Sequence, residues 1–467
     1  MVSTLADNLH HAASGLLRRP FPLPIRAWDG SSTEAAAAGP DAGTVPTLVL
    51  RSPLAVRRLL YAPGELGLAE AYLAGDLDVD GDLRRALELV WSPGAGSVRP
   101  PLRELPSLLA LARRHRILGP RPQRPGEHAH LRGRLHTRSR DRAAIAHHYD
   151  AGNDFYQLLL DPTMAYSCGY YADGPQTPLA EAQLAKLDLI CRKLDLTAGR
   201  TLLDVGCGWG ALLLHAAEHH GAHVTGVTLS RQQFDFVSKR IADAGLADRA
   251  RVIQADYRQI PDLLAGAAGQ PIGHGRYGEF DAVSSIEMGE HVGGGNYPTF
   301  ARLLYSAVRP GGRLLLQQMS RGENAPDGGA FIATYIAPDM TMQPLGATVG
   351  ELARAGWEIR DVQALREHYD WTVRAWAKRL ADNWSAAERL LGPVGARVWR
   401  LYLAGGGLAF ASGRMGVDQV LAVRPLPGGA PGLPPRRVAD DAASPAGPDS
   451  TGSTDSTDST DKGWGGP

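Results

Sequence analysis

The apolar positions along the chain follow two periods, and the switch between them marks its elements. In NLHHAASGLLRR (8–19), Leu9, Leu16 and Leu17 fall toward one side of a short amphipathic helix, which Pro20 and Pro22 close. IRAW (25–28) and TLVL (47–50) are strand-like runs separated by a Gly/Ala-rich loop. Helical spacing returns at LAVRRLLY (54–61), LAEAYL (68–73) and LRRALELVW (83–91), so residues 1–112 read as a small α+β unit. From 141 to 426 strand-like and helix-like segments alternate, which predicts an α/β domain with a largely parallel sheet. Residues 427–467 run through Gly, Pro and Ala into a repeated Ser-Thr-Asp; such a tail buries too little apolar surface to offset its ordering entropy, and disorder is expected.

Two stretches carry charge rather than period. DLDVDGDLRRALE (76–88) begins like a calcium loop, with Asp76, Asp78, Asp80 and Gly81 in place. Its closing position holds Leu87, with Glu88 one place late, so an acidic turn whose Asp82 caps the next helix is the better reading. Residues 113–140 collect Arg113, Arg114, Arg116, Arg121, Arg124, Arg132, Arg134, Arg138 and Arg140 between prolines. This stretch is either a solvated linker or a surface for anionic lipid head groups, where each basic residue adds ~1 kcal/mol. It lacks the aromatics that would stack on bases.

Composition changes this picture little. The chain has 467 residues, 49 basic and 49 acidic, so net charge gives no reason to expect nucleic acid. Its 3 cysteines exclude a disulfide scaffold and fit a reducing cytosol. No secretory signal or bilayer-length apolar run is legible, so the expected location is cytoplasmic, peripheral to the inner face of the membrane.

The strongest local signal is TLLDVGCGWGALLLHAA (201–217). An apolar strand carries Asp204 near its end, Gly206 to Gly210 form a tight turn, and a helix follows. Glycines there let the backbone approach a ligand at the carboxyl end of a strand. The spacing is G-x-G-x-G, not the dinucleotide G-x-G-x-x-G. HVTGVTLS (223–230) ends without the acidic residue that often holds a ribose, leaving Thr228, Ser230 and Gln233. ARVIQADYR (250–258) supplies Asp256, which could accept from an adenine amino group. FDAVSSIEMGEHVG (280–293) ends in acidic and imidazole groups.

With HHYDAGNDFYQLLLDPTMAYSCGYY (147–171), EAQLAKLDLICRKLDL (181–196), GVTLSRQQ (226–233), IEMGEHVG (286–293), NYPTF (296–300) and HYDWTVRAW (368–376) in this order, the chain resembles the cyclopropane fatty acid synthase and mycolic acid cyclopropane synthase family. PGELGLAEAYLAGDLDVDGDL resembles the accessory domain of its full-length members. The resemblance implies a Rossmann-like class I methyltransferase domain (141–426), a lipid-engaging accessory domain (1–112), and S-adenosyl-L-methionine as cofactor. It implies carbon methylation of a cis double bond in a phospholipid-bound acyl chain, giving a cyclopropane. A methylene or methyl branch, or methylation of a small metabolite, is the alternative. Tyr166, Ser167, Asp204, Gly206, Gly208, Thr228, Gln233 and Asp256 would line the cofactor. A bicarbonate ion would serve as base, held by Cys168, Glu290 and Tyr369, with Gln317 where the family often has His. Partners implied are unsaturated phospholipid at a membrane surface, not nucleic acid; a homodimer and, for a methylene product, a separate reductase stay open.

Methyl transfer to an alkene leaves a carbocation. The site must stabilise it, exclude water and take a proton. Tyr335, Tyr369 and Trp371 are the aromatic candidates. Glu287, three residues before Glu290, is a second carboxylate; two close carboxylates raise one pKa, which suits a proton acceptor. Cys207 and Cys191 read as packing residues, and the pair His147–His148 lacks metal-site company, so no metal is expected. GGGLAFASG (405–413) reads as close helix packing.

Overall fold

A computed structural model describes residues 3–34, 45–91, 105–126, 135–137, 140–141, 144, 152–265, 275–325 and 327–433. The His147–His148 pair, Arg132, Arg134, Arg138 and the Ser-Thr-Asp tail lie outside them. The described residues up to Gly432 make one compact unit.

The first helix runs Leu5–Leu17, three residues earlier than the apolar spacing suggests, because Thr4 and Asp7 form a capping box ahead of it. Ile25–Arg26 (β1), Thr47–Leu50 (β2) and Leu77–Asp80 (β3) pair into a small sheet in the order β1-β2-β3. β3 is LDVD, the stretch read as an acidic turn. Its alternation is that of a strand, and the aspartates in and just before it pair with arginines: Asp76 with Arg58, Asp78 with Arg51 and Arg397, and Asp80 with Arg26. Asp82 caps the next helix, Leu83–Val90, through the amides of Arg84 and Arg85.

This N-terminal region does not keep a core to itself. Leu5, Leu9, Ile25, Tyr72 and Leu73 pack in one cluster with Phe331, Tyr335, Ile336 and Val398 from far along the chain. The boundary drawn at residue 112 therefore separates two sheets, not two cores. The arginine-rich stretch is likewise tied down. Arg57 donates to the carbonyls of Arg116, Ile117 and Leu118, Arg124 pairs with Glu70, and Arg140 pairs with Asp339.

The main sheet has seven strands in the order β6-β5-β4-β7-β8-β10-β9. They are Thr201–Val205 (β4), His223–Thr228 (β5), Ala250–Gln254 (β6), Phe280–Ile286 (β7), Val308–Arg321 (β8), Glu358–Ala364 (β9) and Met415–Val423 (β10). β4 to β8 pair in parallel; β10 runs antiparallel to both β8 and β9. The central strands are apolar on both faces because helices cover both, as a parallel sheet requires. Strand order reverses between β4 and β7, so a crevice opens at their carboxyl ends.

The helix Trp384–Ala411 carries the glycine run. A Cβ at Gly407 would meet Arg84 at 2.3 Å, so that helix lies close against Leu83–Val90, as expected of small residues.

Candidate active site

The crevice is an open cleft with an empty volume of about 1110 Å3 including its mouth, comparable to small-molecule sites of ~300–1,000 Å3. All of the residues assigned to the cofactor line it: Tyr166, Ser167, Asp204, Gly206, Gly208, Thr228, Gln233 and Asp256. Gly206 has φ 82°, and a Cβ there would stand 2.8 Å from Met288 Cγ, so only glycine fits the turn. Gly208 has φ 54° with open space where a Cβ would be, so its main chain can face a ligand directly.

The polar groups differ in how free they are. Asp204, at the end of β4, accepts from the Ser284 hydroxyl at 2.8 Å, and burial pushes its carboxyl up to about 6. Thr228 donates to Gln233 Oε1 at 2.7 Å, leaving the Gln233 amide nitrogen buried without a partner. Ser167 accepts from Lys186 Nζ at 3.0 Å. Asp256 lies where an adenine contact was expected, but both its oxygens are held by the Arg258 guanidinium at 2.7 Å; an added contact would use its remaining lone pairs.

The reacting end centres on Glu287. This residue follows β7 in the left-handed backbone region, at φ 51°, where an L side chain costs roughly 1–2 kcal/mol. Its carboxylate lines the cleft and gathers most of the residues predicted as catalytic. Oε1 accepts from the Cys168 main-chain amide and from Gln317 Nε2, each at 2.8 Å. Oε2 accepts from the Tyr369 hydroxyl at 2.5 Å. Burial raises the Glu287 carboxyl, while the three hydrogen bonds and the Lys186 charge oppose the rise. Glu290, given the leading role from the sequence, is turned aside. Its Oε1 accepts from the Met319 amide at 2.5 Å, its Oε2 is buried without a partner, and burial with the nearby Glu287 charge pushes it up to about 8. Burial pushes both carboxyls up, and the donors that favour a charged form converge on Glu287 rather than on Glu290. The donors expected to hold a bicarbonate are occupied by the chain's own carboxylate.

Cys168 takes part through its backbone. Its thiol is buried, points to the carbonyl of Leu365, and is pushed up by that burial. Of the aromatic candidates only Tyr369 reaches the site, stacked on Phe410 at 4.4 Å and edge-on to Trp376. Trp371, two positions on, turns to the opposite side of the helix against Tyr171 and His368, and Tyr335 packs with Phe331 in the N-terminal core. Trp376 takes the expected place, within 5.2 Å of the Tyr166 ring; its spacing of seven from Tyr369, two helical turns, was legible. Lys186 was missed as well. It lies on the buried stripe Ala182, Lys186, Leu189, Lys193 of the helix Leu179–Lys193, so a lysine at core spacing was the available signal.

Cys207 packs against Gly226, as a small core residue would. Cys191, His215 and His220 bring potential ligand atoms within 4.8 Å of one another, but Asp188 already binds both imidazoles, at 2.9 and 3.2 Å.

The profile of the mycolic acid cyclopropane synthetase family matches residues 136–420. The chain belongs to that family. A probable fatty acid methyltransferase of Mycobacterium tuberculosis is 37% identical over 425 residues, covering 89% of this chain and 94% of its own. A probable fatty acid methyltransferase of Pseudomonas putida is 34% identical, covering 89% and 95%. The crystal structure of a mycolic acid cyclopropane synthase complexed with SAH and CTAB superposes with a TM-score of 0.53 at 31% identity, covering 60% of this chain and 97% of that one. The enzyme is therefore an S-adenosylmethionine-dependent class I methyltransferase, as the strand order and the glycine turn anticipate. The cleft fits that cofactor: an open glycine turn at a strand end, a buried carboxyl at Asp204 and an unpaired amide at Gln233 are the groups a nucleoside and an amino-acid tail require.

Proposed function

We propose that this enzyme methylates a carbon of a cis double bond in an unsaturated, phospholipid-bound fatty acyl chain, and that Glu287 takes the resulting proton. When bound, S-adenosylmethionine supplies an electrophilic methyl group; the rest falls to the chain. Thr228, Gln233, Asp204 and the main chain at Gly206 and Gly208 hold the cofactor. The faces of Tyr369, Trp376 and Phe410 attract the carbocation left beside the new branch. Their apolar packing keeps water away from it. Glu287 receives the proton on a carboxylate oriented by Cys168, Gln317 and Tyr369, and no bicarbonate is needed. The observation that carries this reading is Glu287 itself, a strained residue at the boundary of cleft and catalytic cluster with both oxygens engaged.

Of the two products, the branched one has the better support. Proteins similar to this chain over nearly its whole length are named fatty acid methyltransferases, whereas the cyclopropane synthase match covers 60% of it. A 1,2-hydride shift moves the cation onto the methylated carbon, and proton loss from the methyl then leaves a methylene branch, which a separate reductase can saturate; without the shift, proton loss from the methyl closes a cyclopropane, the second reading. Labelled S-adenosylmethionine with monounsaturated phospholipid vesicles tests both. The two products have one mass, but only the methylene takes up hydrogen under mild hydrogenation. No labelled acyl chain, with label on a soluble small molecule instead, would sink the lipid reading.

We further propose peripheral binding at the cytoplasmic face of an anionic membrane. No helix among the described residues is long and apolar enough to cross a bilayer. Leu60, Tyr61 and Leu118 are exposed beside the exposed Arg116 and Arg121, with Tyr61 bonded to the Gly119 carbonyl, an apolar patch rimmed by cations. Salt-sensitive cosedimentation with anionic vesicles, weakened by Arg116→Glu with Arg121→Glu, is the expected result.

A further inference from the structure

Gln317 is one of a row. It stands in register with Gln419 on β10, which stands in register with Gln363 on β9, so three glutamines cross three neighbouring strands side by side. Gln317 and Gln419 are fully buried. Lys193, at the end of the helix Leu179–Lys193 and 1% exposed, reaches this row. Its Nζ donates to Gln419 Oε1 at 2.8 Å and to Gln363 Oε1 at 2.6 Å, with Asp361 at 3.8 Å. Gln419 Nε2 donates to Gln317 Oε1 at 2.9 Å, and Gln317 Nε2 donates to Glu287 Oε1 at 2.8 Å.

The order of these bonds has a direction. An amide can turn either end toward a neighbour, but an ammonium only donates. Lys193 therefore forces the Gln419 carbonyl toward itself and the Gln419 NH2 toward Gln317. Gln317 must answer with its carbonyl, which leaves its NH2 facing Glu287. Without that polarity, Gln317 could as well aim a carbonyl at the carboxylate and repel it.

We propose that Lys193 and Gln419 are positioning residues for the catalytic base: they lock the amide of Gln317 as a donor and so hold Glu287 charged and correctly aimed. The proposal rests on the reading of Glu287 as the base. The other titratable groups around Glu287 are Lys186 and Cys168, Tyr369 and Tyr402 from the helices across the site, and Glu290. None of them touches the Gln317 carbonyl, so the lock on that amide comes from Gln419 alone among the described residues.

Gln419→Glu tests this with almost no change of shape. The new carboxylate pairs with Lys193, which protects the fold, but it cannot donate to Gln317. Gln317 then turns its NH2 toward position 419 and its carbonyl toward Glu287. The expected result is an acid limb of the kcat–pH profile moved upward by about one pH unit, with cooperative melting and S-adenosylhomocysteine affinity as in the wild type. Lys193→Met, which frees the polarity without reversing it, is expected to move the limb less far in the same direction. Glu287→Gln is measured alongside. If Glu287→Gln is inactive while Gln419→Glu keeps the wild-type limb, the relay is overturned and the base stands. If Glu287→Gln keeps full activity, both readings fall.

Discussion

Replacing Tyr369 by Phe isolates one hydrogen bond to the base. The Tyr369 hydroxyl is the only partner of Glu287 Oε2 among the described residues, at 2.5 Å in a buried setting. Phe keeps the ring and its stacking on Phe410 but cannot donate. A hydrogen bond to a charged group contributes about 1.5–3 kcal/mol. One pKa unit corresponds to about 1.36 kcal/mol. The bond favours the ionised form of Glu287, so its loss raises an already raised pKa by roughly one to two units. A base must be ionised to accept a proton, so the acid limb of kcat moves to higher pH and the deficit shrinks as pH rises. The assay is transfer of labelled methyl to monounsaturated phospholipid across pH, with S-adenosylhomocysteine affinity measured in parallel. Tyr369 lies outside the cofactor cleft, so that affinity should hold. An unmoved acid limb, or a loss equal at every pH, would refute the reasoning.

Three further outcomes follow from the same geometry. Glu290, pushed from 4.5 to about 8 by burial and the Glu287 charge, is a raised carboxyl; its contribution is full below pH 4.5 and is lost as pH rises through 8. Glu290→Gln removes that fall, so denaturant unfolding near pH 9 should find the variant gaining roughly a few kcal/mol relative to wild type compared with pH 4; parallel pH slopes would contradict this. Cys168→Ala should keep kcat within about five-fold, the equivalent of ~1 kcal/mol, because the contact to Glu287 comes from the main-chain amide; a loss of several orders would assign the thiol a role the geometry does not. Gly206→Ala, at φ 82° and with its Cβ 2.8 Å from Met288 Cγ, should weaken S-adenosylhomocysteine binding by calorimetry about ten-fold, from strain of roughly 1–2 kcal/mol; unchanged affinity would show that the turn adapts.

By itself the sequence determined the α/β domain and the cofactor loop. These are local properties: an apolar strand, a glycine turn and a helix declare themselves within one window, whereas Tyr166 and Ser167 rested on the family resemblance; all eight residues named for the cofactor line the cleft. The strand LDVD was missed because its aspartates outweighed its alternation, and their arginine partners lie far off in the chain. What only the tertiary structure decided was which carboxylate does what. Glu287 and Glu290 stand three residues apart with the same chemistry, and no spacing rule separates them. The donors that do so come from Cys168, Gln317 and Tyr369, which lie 119 positions upstream and 30 and 82 positions downstream of Glu287. Charge goes where the donors converge, and that convergence, like the row from Lys193 to Gln317, exists only once β8, β10 and β9 are paired in register.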